Sequence, residues 1–373
     1  MKIMKITQIS AGRDRSVVLS SDGIALAWGG IKLMGATLPP GYPGELCISS
    51  PTEIGHNRYA QPLPQTLNPG VPFSSIADGY IDTLGVKRAG SVLSCRPVVS
   101  KEGGAEHAEV AGLPPSATQV ALTESGGFAL YANGSVWSWG MRANGQLGRE
   151  TPSSIATRLD TPATITGLPP IAMLAAGHGH VLALGRNGSV WSWGANSAGQ
   201  LGTGSLSERT LPAKVSLPAQ IKTIAAGDTH SFAVDDMGRL WGWGSNNFGQ
   251  AGEALSPKLA AAYFTTPQRI KTGFPVAQID AGMFYTVATS TQGEVFAWGW
   301  NGMGQMAQEG MAFSAIPLRV KTLRNVTRLA AGVGHTLALS DVGLFAWGDN
   351  RSSACGAFPS VAVQVKPLAV SFA

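Results

Sequence analysis

Residues 175–202 read AAGHGHVLALGRNGSVWSWGANSAGQLG, and this stretch decides the fold. Val181-Leu182-Ala183-Leu184 is an apolar run of buried-strand length. Asn187-Gly188 is the dipeptide favoured by a two-residue hairpin, whose two central positions both take positive φ. Beyond it, Trp191 and Trp193 stand two apart, so a strand turns both rings to one face. The unit is a β-hairpin with a heavy aromatic face that cannot bury itself alone.

The unit recurs seven times, with turn glycines Gly23, Gly90, Gly134, Gly188, Gly238, Gly293 and Gly343. Eleven residues before six of them stands another glycine, at Gly12, Gly79, Gly177, Gly227, Gly282 and Gly332, and repeat three has Thr123 there. Five residues after the turn comes Trp28, Trp139, Trp193, Trp243 or Trp298. Repeat seven is one residue short before Trp347, and repeat two substitutes Cys95. A period of about fifty residues fits blades of four strands. The chain is therefore expected to be all-β, a single seven-bladed β-propeller over residues 1–373.

The pattern A-A-G-x-x-H-[ST]-x-A-[LV], followed by G-x-[VL]-[WF]-x-W-G-x-N-x-x-G-Q-L-G, resembles the repeat of the RCC1 (regulator of chromosome condensation 1) family. It stands at 225–252 as AAGDTHSFAVDDMGRLWGWGSNNFGQAG and at 330–350 as AAGVGHTLALSDVGLFAWGDN. The resemblance implies the seven-bladed fold. It also implies a range of functions, from nucleotide exchange on a small GTPase to enzyme inhibition, light sensing and bacterial effectors. Fold does not choose among these.

Composition narrows the choice. Charged residues are 13% of the chain and the net charge is +5, with no run of four Lys or Arg, so the basic footprint of a nucleic-acid binder is missing. Cys47, Cys95 and Cys355 are scattered, which argues against a metal or redox site, and no metal or cofactor is expected. No apolar run reaches the length of a membrane span, so no membrane insertion is expected. MKIMKITQISAG enters the first repeat at once, from which we expect synthesis in the cytoplasm without a signal peptide. G-x-x-x-x-G-K-[ST], H-E-x-x-H and G-x-S-x-G are all missing, so the chain is not expected to be an enzyme.

Departures from the repeat mark what is particular to this chain. Residues 30–61 are expected to form a proline-rich loop insertion after the first hairpin, and 97–117 a second irregular loop. Residues 359–373 resemble an outer strand with no repeat after it. They are expected to pair with the N-terminal blade and close the ring. His180, His230 and His335 share one repeat position, which points to service within the blade. The Asn and Gln of N-x-x-G-Q (Asn196 to Gln200) are expected to tie the exit loop to backbone groups.

If the strands of a blade are named A to D, the A–B and C–D loops emerge on one face and the uniform B–C turns on the other. Binding belongs on the variable loop face. Its non-consensus residues are Arg13, Arg15, Tyr80, Met283 and Phe284, joined by Tyr42, His56, Arg58 and Tyr59 of the insertion. The expected function is a non-catalytic scaffold gripping a protein, or else a glycan. Low charge and abundant glycine suit a bacterial or phage-type member, with a structural or host-recognition role in a virion or other larger assembly. The alternatives are a regulator of a small GTPase, a bacterial effector and an enzyme inhibitor.

Overall fold

Every repeat folds its hairpin into the middle of an antiparallel sheet. In repeat four, strand A (Ile171–Ala176), B (His180–Gly185), C (Val190–Gly194) and D (Arg209–Val215) pair in chain order. The computed structural model describes residues 4–32, 52–55, 58–67, 70–80, 82–96, 106–150, 158–252, 262–357 and 361–372. Among these, seven such sheets stand as the blades of an all-β propeller, six of four strands and the first of five.

The B–C turn differs from the expected one. Gly188 has φ +76°, but Asn187 does not take positive φ. The N–H of Gly188 bonds to Gly185 O at 2.9 Å, and that of Gly185 bonds to Ser189 O at 2.8 Å. This is a three-residue connection, a type I turn followed by a left-handed glycine, which leaves Asn187 free to bond Ser189 through its side chain. Repeat seven, one residue short, pairs Ser340 directly with Gly343 across a two-residue turn.

The outer strands carry a shared device. Proline stands in six of them, at Pro64, Pro162, Pro212, Pro267, Pro317 and Pro367, within the stretch where the pairing to strand C shifts register. A proline and a bulge together spoil an edge for further pairing.

Three expectations are corrected by the strand order. First, Val363–Ala369 pairs with Gly343–Asp349 of its own repeat, not with the N-terminal blade. Each repeat supplies its own D strand after its C strand, so blade one already has Arg58–Thr66 and needs no other. Second, the ends of segment 30–61 are strand: Ala25–Lys32 continues to pair with Arg58–Thr66, and Thr52–Gly55 adds a fifth strand. Third, segment 97–117 contains the D strand of blade two, Glu106–Glu109.

The core lies between blades. One cluster joins Leu182, Leu184 and Val190 of blade four to Ile224, Ala233 and Trp243 of blade five, and the other clusters repeat this around the ring. The tryptophan at the end of strand C is the peg. The indole N–H of Trp193, Trp243, Trp298 and Trp347 donates to the carbonyls of Gln146, Gln200, Gln250 and Gln305 in the preceding blade, at 2.8–3.0 Å. Asn196 and Gln200 fix the loop that presents that carbonyl. Asn196 accepts the Leu201 N–H at 2.9 Å and donates to Ser205 O and Ser207 O, and Gln200 accepts the Ala198 N–H at 2.9 Å.

The ring closes by the same contact. Trp28 donates to Ala354 O at 2.9 Å, and its ring meets Phe372 edge-on at 6.4 Å. Removing residues 361–373 therefore strips strand D from blade seven, takes away the buried Val370 and the Phe372 ring, and uncovers Trp28. We expect a loss of about 3–6 kcal/mol, at about 1.5–3 kcal/mol for each of two apolar side chains. An unchanged melting temperature in the truncated protein would refute this.

The three consensus histidines serve the next blade. Nε2 of His180, His230 and His335 lies 2.8, 3.1 and 2.9 Å from the hydroxyls of Ser231, Thr286 and Ser16. Each hydroxyl spends its proton on a backbone carbonyl, of Gln200, Gln250 or Ala354 at 2.8 Å. It must then accept from the imidazole, which fixes the tautomer with the proton on Nε2. The Nε2 partner is thus a hydroxyl of the neighbouring blade, so the histidine ties two blades together and does not serve its own blade alone. Burial lowers these imidazoles to about 3, 3 and 4, so all three are neutral.

Candidate functional site

The A–B loops converge on the axis. Backbone N–H groups link them from blade to blade: Arg13 to Gly79 O, Glu124 to His178 O, Asp228 to Gly282 O, Met283 to Val333 O and Val333 to Gly12 O, at 2.8–3.3 Å. Below this hoop the inner strands of all seven blades line an axial cavity of about 410 Å³. The residue after each A–B glycine, or after Thr123 in repeat three, belongs to the hoop above it, with Tyr80, Asp228 and Val333 lining the cavity itself, and these residues differ in every repeat.

Side chains cross the mouth. The ring of Tyr80, from blade two, meets His178 of blade four edge-on at 4.7 Å. His178 Nε2 lies 3.1 Å from Glu124 Oε2 of blade three. Burial raises the Tyr80 hydroxyl well above its usual range, and the Asp228 carboxylate facing it adds to the shift. Asp228 is itself pushed up by burial, against the pull of the Tyr80 hydroxyl and His178. Deeper in the cavity, burial moves Asp280 up to about 6, although Ala281 and Ala331 each donate a backbone N–H to it at 2.9 Å.

A second feature borders the mouth between blades five and six. Phe248, in the exit loop of blade five, lies 5.4 Å from Phe284 of the blade-six A–B loop and 6.3 Å from Trp300 at the end of strand C. Phe284 and Trp300 are 6.3 Å apart and nearly perpendicular. All three are half-buried. Trp300 lies over Gly302, where a Cβ would come within 2.2 Å of its Cζ2.

The residues expected to bind fare unequally. Arg13 is exposed on the rim, Tyr80 and Met283 line the mouth half-buried, and Phe284 belongs to the aromatic cluster. Arg15 is no surface residue. It occupies the consensus histidine position, is 6% exposed, and holds Asp78 Oδ1 with Nε at 2.9 Å and Nη2 at 2.5 Å. Burial drives the Asp78 carboxyl upward, and Arg15 and the Thr83 hydroxyl pull it back. Blade one thus joins blade two by an ion pair, where blades four, five and seven join the next blade through His with Ser or Thr. Arg58 and Tyr59 lie in an outer strand, paired with Lys32 and Ile31 and with Thr52–Gly55. Tyr42 and His56 fall outside the described residues.

Glu124, His178, Asp228, Phe248 and Trp300 were not singled out from sequence. The first three share the repeat position of Tyr80, and Trp300 extends W-x-W-G by one more tryptophan. Both signals are visible once the positions are aligned.

The RCC1-like domain model matches residues 41–372. The chain is 29% identical over 374 residues to the ultraviolet-B receptor UVR8 of Arabidopsis thaliana, covering 99% of this chain and 70% of the receptor. It is 31% identical over 276 residues to an RCC2 homologue of Danio rerio (64% and 54%), and 35% identical over 253 residues to the probable E3 ubiquitin-protein ligase HERC6 of Homo sapiens (65% and 24%). The matched region is thus about half of the RCC2 homologue and a quarter of HERC6. Among solved structures, human WBSCR16 superposes with TM-score 0.76 at 24% identity over 89% of this chain and 90% of that one. Prp20p of Saccharomyces cerevisiae, described with its binding properties to Gsp1p and histones, gives 0.71 at 19% identity over 90% and 83%. These structural likenesses speak for the fold.

Proposed function

The chain belongs to the RCC1-like family, and from that premise we propose that it is a non-catalytic propeller that binds a protein partner through its A–B and C–D loop face. One observation carries this reading. Positions that join blades recur from copy to copy (Trp193, Trp243, Trp298; Gln200, Gln250, Gln305), whereas rim positions change every time (Arg13, Tyr80, Glu124, His178, Asp228, Met283, Val333). A position held by packing keeps its residue; a position free of packing is free to specify a ligand. The binding of Prp20p to proteins supports a protein partner. Nothing in the relatives speaks for a virion or a glycan, and neither is part of the proposal.

Immobilised protein should capture a partner from a lysate of its source. Capture should fall at least tenfold, about 1.4 kcal/mol, for the pair Arg13→Ala and Phe284→Ala. Changes in the B–C turns, at Asn187 and Met237, should leave it unchanged. Capture lost in the turn variants and kept in the loop variants would invert the proposal. The second reading, regulation of a small GTPase, rests on the family resemblance. It requires faster nucleotide release from a loaded small GTPase at sub-stoichiometric protein, and an unchanged release rate would remove it.

A further inference from the structure

We propose that the partner docks an apolar anchor on Phe248, Phe284 and Trp300 and sets lysine or arginine side chains flanking it over the acidic mouth of the axial cavity. This rests on the loop-face reading and names the partner's chemistry. Three observations carry it.

The aromatic cluster is not part of the blade repeat. Where Phe284 stands, the other described repeats have Asp14, Ser125, Gly179, Thr229 and Gly334. Where Trp300 stands, they include Gly30, Met141, Ala195 and Ser245, and Phe248 replaces Ala198 of blade four. The other five blades form without these rings, so packing of the blade does not explain them. The cluster also continues outward to exposed apolar surface. Phe313, opposite Trp300 in the strand register, is 58% exposed, and Met311 is 41% exposed. Contiguous apolar surface of this kind marks interaction sites, and aromatic residues are the commonest anchors at them.

The charge beside the cluster has the opposite sign to the chain. The whole protein is +5, yet the described A–B loop residues hold one exposed cation, Arg13, against Asp14, Asp82, Glu124 and Asp228. Asp228 is hydrogen-bonded through its N–H to Gly282, in the loop that carries Phe284, which places acid and aromatic side by side. Such an arrangement attracts a basic segment and repels an acidic one. A second copy of this chain would set the acidic loops against themselves, so charge disfavours self-association on this face.

The test uses the full-length protein, fluorescently labelled, on an array of random dodecapeptides. The peptides bound should be enriched in Lys or Arg within a few residues of Leu, Phe or Trp. Glu124→Gln with Asp228→Asn should weaken them at least fivefold and steepen none of their salt dependence. Phe284→Ser should weaken them at least tenfold, with unchanged melting temperature in each variant. Peptides of acidic or neutral composition lost with Phe284→Ser would overturn this inference and leave the loop-face reading standing. Peptides indifferent to these variants and lost with B–C turn changes would overturn both. An array without binding, or a concentration-dependent dimer abolished by Phe284→Ser, would also overturn the assignment, the latter in favour of a second copy.

Discussion

Acidification from pH 6 to pH 4 should cost the fold several kcal/mol, because three imidazoles are buried neutral. His180, His230 and His335 are at most 1% exposed, and their folded values lie at about 3, 3 and 4 against about 6.5 in an unfolded chain. The folded value is depressed, so the unfolded state binds more protons below pH 6.5, and stability falls as pH falls. Each histidine contributes about 1.4 kcal/mol per pH unit, hence about 7 kcal/mol for three between pH 6 and pH 4.

Asp280 opposes this. Its folded value, about 6, lies above the unfolded one, so its contribution is present at low pH and lost as pH rises through 6. It returns at most about 3 kcal/mol over the same window. The imidazoles win, and a net loss of about 4 kcal/mol is a large share of a typical 5–15 kcal/mol. Urea unfolding at stepped pH measures it. His335→Gln, which retains a donor for Ser16, should reduce the slope by about 1.4 kcal/mol per pH unit. Stability that is level between pH 6 and pH 4 would contradict the buried neutral imidazoles.

Removing the Arg15 side chain should be worse than removing the pair. Arg15→Ala leaves the fully buried Asp78 carboxylate without its guanidinium, and breaking a buried pair from one side costs about 3–5 kcal/mol. Arg15→Ala with Asp78→Ala removes both charges and should cost less than the single change. The single variant should recover toward the wild type as pH falls, because its Asp78, raised further by the loss of Arg15, binds a proton and sheds the unpaired charge. A double variant as unstable as the sum of its singles would mean that the two residues are not coupled.

The architecture was legible because each blade solves one packing problem seven times. The glycine turn, the Trp193-type peg and the Asn196–Gln200 exit all follow from local rules that a repeat displays again and again. What sequence alone misplaced was non-local. Nothing in residues 361–367 says which C strand they join, since every C strand offers the same edge. Arg15 looked like a variable loop residue because its partner, Asp78, lies 63 positions away. The aromatic cluster was half visible: Phe284 stood out as non-consensus, but Phe248 and Trp300 come from two other segments that only the ring brings together. Junction chemistry repeats and can be read, whereas a rim assembled from one residue per blade has no sequence spacing.

The most direct measurement of which face binds is hydrogen exchange on the protein with and without the partner recovered by capture. Binding through the loop face predicts slowed exchange in the A–B loops at residues 12–14, 227–229 and 282–284 and in the exit loop 301–312, with the B–C turns at 186–188 and 236–238 unchanged. Slowed exchange confined to those turns, with the loops unaffected, would contradict it.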